Sequence, residues 1–207
     1  MIFICLISVT LLACSASEKK GQIPIDYEIA DVRNLPQDID AYASSFRDDY
    51  LGKTCRDSFL VEFKGKYYAP WSGSSSITDI ARSVTTMREH LQKDWYGENK
   101  RRVLKSDLEA LSINCDLEHI PSMKRPAIVT SPTDLRVLPI SKPFFENADN
   151  FPFDALQNAS LKLNEPIRVR HVSRDGLWVF VETADTNGWV LSRDVGYIHD
   201  RLAQKWI

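Results

Sequence analysis

The chain has 207 residues, enough for one large or two small domains, and 43% of them are hydrophobic, as in a globular protein with a substantial core. Lys and Arg number 26 against 28 Asp and Glu, a formal charge of −2. That balance argues against a nucleic-acid binder, which carries a basic excess.

In chain order, Ile2 to Ala13 is almost wholly apolar and ends in Leu11-Leu12-Ala13-Cys14. The run is too short to span a bilayer, which takes about 20 residues, but it suits the apolar region of a signal peptide. No Lys or Arg precedes it. Leu-x-Ala-Cys resembles the bacterial lipobox, in which a small residue exposes the cleaved bond and the cysteine takes the lipid. Cys14 is therefore the expected lipid attachment site, with a plain secretion signal or a buried N-terminal strand as the alternatives. In an exported chain Cys5 leaves with the signal. Cys55 and Cys115 then remain, either as a disulfide worth about 4 kcal/mol or as two buried free thiols.

Residues 15–37 are polar, contain Pro24 and Pro36, and read as a tether. A helical region is expected over 38–122. Asp38 and Asp40 offer caps for a helix with Ile39, Tyr42, Ala43, Phe46 and Tyr50 on one face. Phe59 to Trp71 alternates as strand, turn, strand. Ser76-Ile77-Thr78-Asp79 fits a capping box opening the strongest helix, whose stripe runs Ile77, Ile80, Ala81, Val84, Met87, Leu91, Trp95 and stops at Gly97. A further helix includes Val103, Leu104, Leu108 and Leu111. Lys100, Arg101, Arg102 and Lys105 form its solvated face. The stretch from Ile120-Pro121 to Arg125-Pro126 is the expected linker.

Strands follow at 127–130, 135–138, 166–172, 177–183 and 189–191. Arg174-Asp175-Gly176 and Asp185-Thr186-Asn187-Gly188 are the turns around the apolar run Leu177-Trp178-Val179-Phe180-Val181. A buried strand between two turns needs a closed sheet around it, and a small barrel is the economical form. The segment 141–159 carries four phenylalanines and must pack over that barrel or line a groove. Tyr197, Ile198, Leu202 and Trp206 make a helical stripe at the end of the chain, in 198–207.

A search for reaction chemistry finds no catalytic residues. Cys55 lies in Lys-Thr-Cys-Arg-Asp-Ser-Phe, where Arg56 could lower a thiol pKa, yet nothing in the spacing brings His90, His119, His171 or His199 to it. Ser72-Gly73-Ser74-Ser75-Ser76 is not a nucleophile elbow. The histidines and cysteines lack zinc spacing, and no phosphate-cradling glycine loop is present, so no metal or cofactor is expected. Binding residues are better represented. Trp71, Trp178, Trp189 and the cluster Phe144, Phe145, Phe151 and Phe153 could line an apolar groove, with Arg136, Asp154, Gln157 and Asp175 as polar anchors. Against this, Trp178 reads as core, Phe151 and Phe153 could instead plug one end of the barrel, and Trp189 at the sheet edge is open to either role.

Asp175-Gly176-Leu177-Trp178 followed by Gly188-Trp189-Val190, with Asp134-Leu135-Arg136-Val137-Leu138-Pro139 upstream, resembles a bacterial SH3 (SH3b) domain. Pro143-Phe144-Phe145 and Phe151-Pro152-Phe153-Asp154-Ala155-Leu156-Gln157 are similar to the variant found in NlpC-type cell-wall peptidases, between a helical N-terminal region and the catalytic domain. The resemblance covers roughly Pro126 to Val195 and, more faintly, the region before it. It implies an α+β chain: a helical N-terminal region followed by a small SH3-like β-barrel at 123–197. The family's catalytic Asp-Cys-Ser-Gly motif is absent. The implied role is that of an exported, lipid-anchored envelope protein of a bacterium, in the periplasm or outer envelope. It would recognise peptidoglycan stem peptides without catalysis or support a peptidase domain or subunit, with the membrane engaged through the lipid on Cys14. The alternatives are the front part of a split or truncated NlpC-type endopeptidase and a structural lipoprotein that docks a protein partner.

Overall fold

The computed structural model describes residues 30–36, 38–43, 52–72 and 77–207. The expected signal, Cys14 and the capping Ser76 lie outside these residues, as do Phe46 and Tyr50. The chain divides into two compact units, Met1–Leu51 and Gly52–Ile207. In the first, α1 (Ala30–Asn34) and α2 (Ile39–Ala43) are single short helices. Helix α1 corrects the tether reading at its end; Asp31 in its first turn and Arg33 in its last complement the helix dipole. Helix α2 begins where expected, its Asp40 N–H donating to the Asp38 carboxylate at 3.0 Å as an N-cap does.

The second unit opens with α3 (Lys53–Tyr67) and α4 (Ala69–Ser72), where alternation predicted strand, turn, strand. The reason lies in residues that satisfy two periods at once. Phe59, Val61 and Phe63 alternate, but Phe59, Phe63 and Tyr67 also recur every fourth residue, and on the helix their rings form a ladder at 6.5 and 5.3 Å. Lys66 reaches back to Glu62 at 2.7 Å on the same spacing. Helix α5 (Ile77–Gln92) buries Ile80, Val84 and Met87 while Ala81 is exposed. It stops at Gln92 rather than at Gly97. Trp95 still reaches the core, from the loop, with its indole N–H donating to the His90 carbonyl at 2.6 Å. Helix α6 (Lys105–Cys115) buries Leu108, Leu111 and Cys115, and Val103 and Leu104 precede it.

Seven strands follow: β1 (Arg125–Val129), β2 (Thr133–Arg136), β3 (Gln157–Leu161), β4 (Pro166–Val172), β5 (Trp178–Glu182), β6 (Asn187–Leu191) and β7 (Val195–Tyr197). They form one antiparallel sheet in the order β3-β2-β6-β5-β4-β1-β7. Strands β3 and β7 were not anticipated, since one is polar and the other is three residues long. Among the described residues no ladder joins β3 to β7, so the sheet is open and the closed-barrel expectation is corrected; the α+β class with an SH3-like part stands. Closure is unnecessary because helices cover the outer face. Trp178, Phe180 and Trp189 point that way and pack with Ile80, Met87, Leu108 and Leu111. Val179, Val181 and Val190 point inward to Val129, Leu135, Ile167 and Val169. Both faces of β5 are thus buried, which is why it reads as a continuous apolar run.

Helix α7 (Asp200–Trp206) closes the unit, but its buried residue is Ala203; Leu202 and Trp206 of the expected stripe are exposed. Tyr197 belongs to β7 and lies under the Arg125 guanidinium at 4.1 Å. Gly176, at φ 72, supplies the expected turn before β5. Gly188 works differently. It is already in β6, the turn closing earlier through Thr183 N–H to the Thr186 carbonyl at 2.8 Å. A Cβ at Gly188 would sit 2.7 Å from the Arg136 carbonyl and 2.9 Å from Leu135 Cγ, where β2 crosses β6. We expect Gly188→Ala to lower unfolding free energy by roughly 1–3 kcal/mol, as overpacking does. Urea titration of the two proteins checks this, and an unchanged midpoint would refute it.

Candidate functional site

Three of the predicted polar anchors, Arg136, Asp154 and Gln157, do meet, but on one another. Arg136 is the last residue of β2, paired with Gln157 of β3 just past a bulge at Asn158, and its guanidinium lies at the base of the following loop. Arg136 is 4% exposed. It donates from Nε to the Ile140 carbonyl at 3.0 Å, from Nη2 to the Lys142 carbonyl at 3.0 Å, and from Nη1 to Gln157 Oε1 at 3.0 Å and to Asp154. The second Asp154 oxygen accepts the backbone N–H groups of Phe144 at 3.1 Å and Leu156 at 2.9 Å. Gln157 in turn donates to Asp134 at 3.0 Å and to the Ala159 carbonyl at 2.7 Å. A part-buried charge pair whose remaining donors and acceptors are occupied holds a loop in place rather than waiting for a ligand.

The other predicted residues lie apart. Trp189 is fully buried, its indole N–H 3.0 Å from Met87 Sδ, so the groove reading at this position is corrected. Trp71 is also buried, donating to the Ala127 and Ile167 carbonyls at 2.9 and 3.1 Å, while the Arg168 side chain donates back to the carbonyls of Pro70 and Trp71. Those bonds dock α4 on the sheet. Phe144 and Phe145 are buried, whereas Phe151 and Phe153 are 63% and 78% exposed and plug nothing. Asp175 bridges the β4–β5 turn to the end of α6, taking Asn114 Nδ2 at 3.0 Å and Ser173 Oγ at 2.6 Å. Burial opposes its ionisation, but these bonds and the Leu177 N–H together hold its pKa below the ordinary value.

The expected linker is pinned beside that bridge. The N–H groups of Ser122 and Met123 both reach the Arg170 carbonyl, at 2.9 and 3.1 Å. Ser122 Oγ lies 2.7 Å from Nδ1 of the buried His171, whose pKa burial lowers. The two thiols are unpaired, which corrects the disulfide alternative: Cys55 is exposed on α3 and Cys115 is buried. Burial pushes the Cys115 thiol up to about 12, so it is no nucleophile. Among the described residues no three His, Cys, Asp or Glu side chains group as metal ligands would.

One open cleft of about 630 Å³ lies where the helical part meets the loop that Arg136 holds. One wall is the turn from Gly97 to Asp107, the other Ile140, Lys142, Pro143 and Phe144. The walls are joined by a reciprocal pair of backbone bonds between Tyr96 and Phe145, each 2.9 Å. Val103, Leu104 and Pro143 supply apolar surface; Arg101, Arg102 and Lys142 supply positive charge and Glu98 and Asp107 negative charge. The lining holds no hydroxyl, thiol or imidazole side chain, and it offers a short peptide apolar contact and opposite charges for its ends. Sequence reading missed Leu104 and Lys142, taking one for helix core and giving the other no role.

Comparison with known proteins converges on the same two parts. The family model described as NLPC_P60 stabilising domain, N term, matches residues 3–120, more than half of the chain. The model described as SH3 domain (SH3b1 type) matches residues 143–191. No curated protein matches. Among solved structures the chain is similar to an NlpC/P60 endopeptidase from Photobacterium damselae subsp. piscicida, with a TM-score of 0.67 and 22% identity over 75% of this chain. That alignment covers 39% of the endopeptidase, so the chain spans well under half of it.

The clip makes a quantitative prediction. Asp154→Ala strands a buried guanidinium and should cost roughly 3–5 kcal/mol, while Arg136→Met with Asp154→Leu should cost less than the sum of the two single changes. A double-mutant cycle by urea unfolding measures the coupling. Additive losses would mean that the pair does not act as a unit.

Proposed function

Since this chain belongs to the family of the NlpC/P60 N-terminal stabilising domain and carries an SH3b1-type SH3 domain behind it, we propose that it is the non-catalytic recognition part of a cell-wall peptidase system, bound to stem peptides at the cleft and anchored by lipid on Cys14. The observation that carries this reading is the cleft itself. It forms where the two family parts meet, and it is mixed in charge and apolar surface. A stem peptide offers short aliphatic side chains, an amine and carboxylates, which match such a lining. Hydrolysis is assigned to a peptidase domain acting alongside. The similar endopeptidase is much longer than the region it shares with this chain, which supports that division of labour.

In this reading the Arg136 clip acts at one remove. By fixing the Ile140 and Lys142 carbonyls it sets the position of one cleft wall. Gln157 and Asp154 are then positioning residues, and Leu104 and Lys142 are the contact residues. The lipid anchor rests on the sequence Leu11-Leu12-Ala13-Cys14 after an apolar run. It places the protein at a membrane of the bacterial envelope.

The chain from Ser15 onward, incubated with purified sacculi, should sediment with the wall and release no muropeptides. Leu104→Ser with Lys142→Glu should weaken retention about tenfold, the effect of losing one apolar and one charged contact. Release of muropeptides would show a catalytic site, with Cys55→Ala the next variant to test. Absence of retention would sink the wall-recognition reading and leave docking to a protein partner. Separately, radiolabelled palmitate should enter the full chain in a bacterial host and be lost in Cys14→Ser; equal labelling of both would refute the anchor.

A further inference from the structure

A second opening lies between the middle of α5 and the end of the β5–β6 turn, and it shares no lining residue with the cleft. Its volume is about 190 Å³, below the ~300 Å³ at which sites for drug-sized ligands begin. Such a groove takes the tip of a ligand rather than the whole of one. Its floor is apolar, made by the buried Met87 and Phe180 and the half-buried Val137.

The rim is polar and held in place. Thr183 closes the turn, its Oγ1 and its N–H both donating to the Thr186 carbonyl at 2.8 Å. Asn158, the extra residue of the β3 bulge, donates from Nδ2 to the Asn187 carbonyl at 2.9 Å and so ties β3 to the turn. Ser83 of α5 donates to Asn187 Oδ1. That bond orients the Asn187 amide, and no bond among the described residues takes its Nδ2 hydrogens. Thr86 offers a further donor. Its neighbour Thr85 folds its hydroxyl back on the Ala81 carbonyl at 3.1 Å, whereas no bond among the described residues takes the Thr86 hydroxyl. Arg82, one turn earlier on α5, is exposed and forms no ion pair among the described residues.

Unused donors on Arg82, Thr86 and Asn187 thus surround an apolar floor, and no Asp or Glu among the described residues lines the groove. This lining selects one negative charge with several acceptor lone pairs, next to a small apolar group. A carboxylate fits, because its two oxygens accept an arginine fork and neutral N–H and O–H donors together. A phosphate carries up to two charges and calls for several basic groups or a helix N-terminus, where this groove has one arginine.

We propose that the groove is a binding site for the carboxylate end of a short peptide whose last side chain is small and aliphatic. Arg82, Thr86 and Asn187 take the carboxylate, and Met87, Val137 and Phe180 receive the side chain. The site goes beyond the cleft reading and does not depend on it. Because the rim is already bonded in place, little freedom is lost when the peptide end enters.

The test uses the isotope-labelled full chain with Cys14→Ser, so that no lipid is added, and acetyl-alanyl-alanine as the probe. In nuclear magnetic resonance spectra the free acid should shift the Asn187 side-chain amide and Arg82 Nε–H signals saturably. The C-terminal amide of the same dipeptide keeps the side chains but lacks the charge, and it should bind about tenfold more weakly or worse. Arg82→Gln should weaken binding of the acid about tenfold, and Thr86→Val about threefold. Circular dichroism is the folding control for both variants. Equal binding of acid and amide, unchanged binding by Arg82→Gln, or no saturable shift overturns the proposal. Inorganic phosphate binding as tightly as the dipeptide overturns it too. Leu104→Ser with Lys142→Glu should leave dipeptide binding intact; its loss there would place the dipeptide in the cleft and sink the groove. Retention on sacculi is read in parallel, and its absence while the dipeptide still binds the groove would fail the cleft reading alone.

Discussion

Strand β5 is buried on both faces, and most of the second unit can be derived from the need to cover it. An alternating strand needs one apolar layer; the run Trp178-Val179-Phe180-Val181 needs two. The curled sheet supplies the inner layer through Val129, Leu135, Ile167 and Val169. Helices α5 and α6, with Trp95 and Phe144 from the connecting loops, supply the outer one. The helical region and the SH3-like sheet therefore share a core, and neither buries its apolar surface without the other. A sheet covered in this way can stay open without exposing a hydrophobic face.

That shared core also sets the geometry of the joint. Trp95 inside the outer layer fixes the turn that follows it, and Tyr96 then exchanges backbone bonds with Phe145 from the opposite side. The cleft is what remains between these two fixed segments. Its far wall depends on a buried ion pair whose polar atoms are taken up by backbone carbonyls, amides and Gln157. Such a network is costly to assemble and costly to break, so it holds the loop in one geometry. In the proposed reading, a wall held in one geometry loses less freedom on binding than a mobile one.

In the proposed setting, recognition is built at the joint between helices and sheet. The cleft carries both signs of charge, which suit the two ends of a peptide in the proposed reading.

The sequence by itself determined the α+β class, the positions of α5 and of the central strands, the Gly176 turn, and the family resemblance that the two matched models bear out. These are legible because they rest on local chemistry: a wide apolar stripe, an uninterrupted apolar run, a glycine at positive φ. It also singled out Arg136, Asp154 and Gln157 as belonging together. What it could not decide was whether those polar groups face a ligand or one another, since that depends on the loop after β2 folding back so that its carbonyls and Asp154 reach Arg136. Nor could it separate helix from strand over Phe59–Trp71, where the aromatics fit both periods. Trp189 looked like an edge residue until α5 was laid over it, and Gly188 looked like a turn residue until β2 was brought against it. The cleft too exists only because segments far apart in sequence are brought together. Tertiary structure decided these matters for one physical reason: burial and close approach are properties of pairs of segments, and a single segment's pattern records at most its own half of each pair.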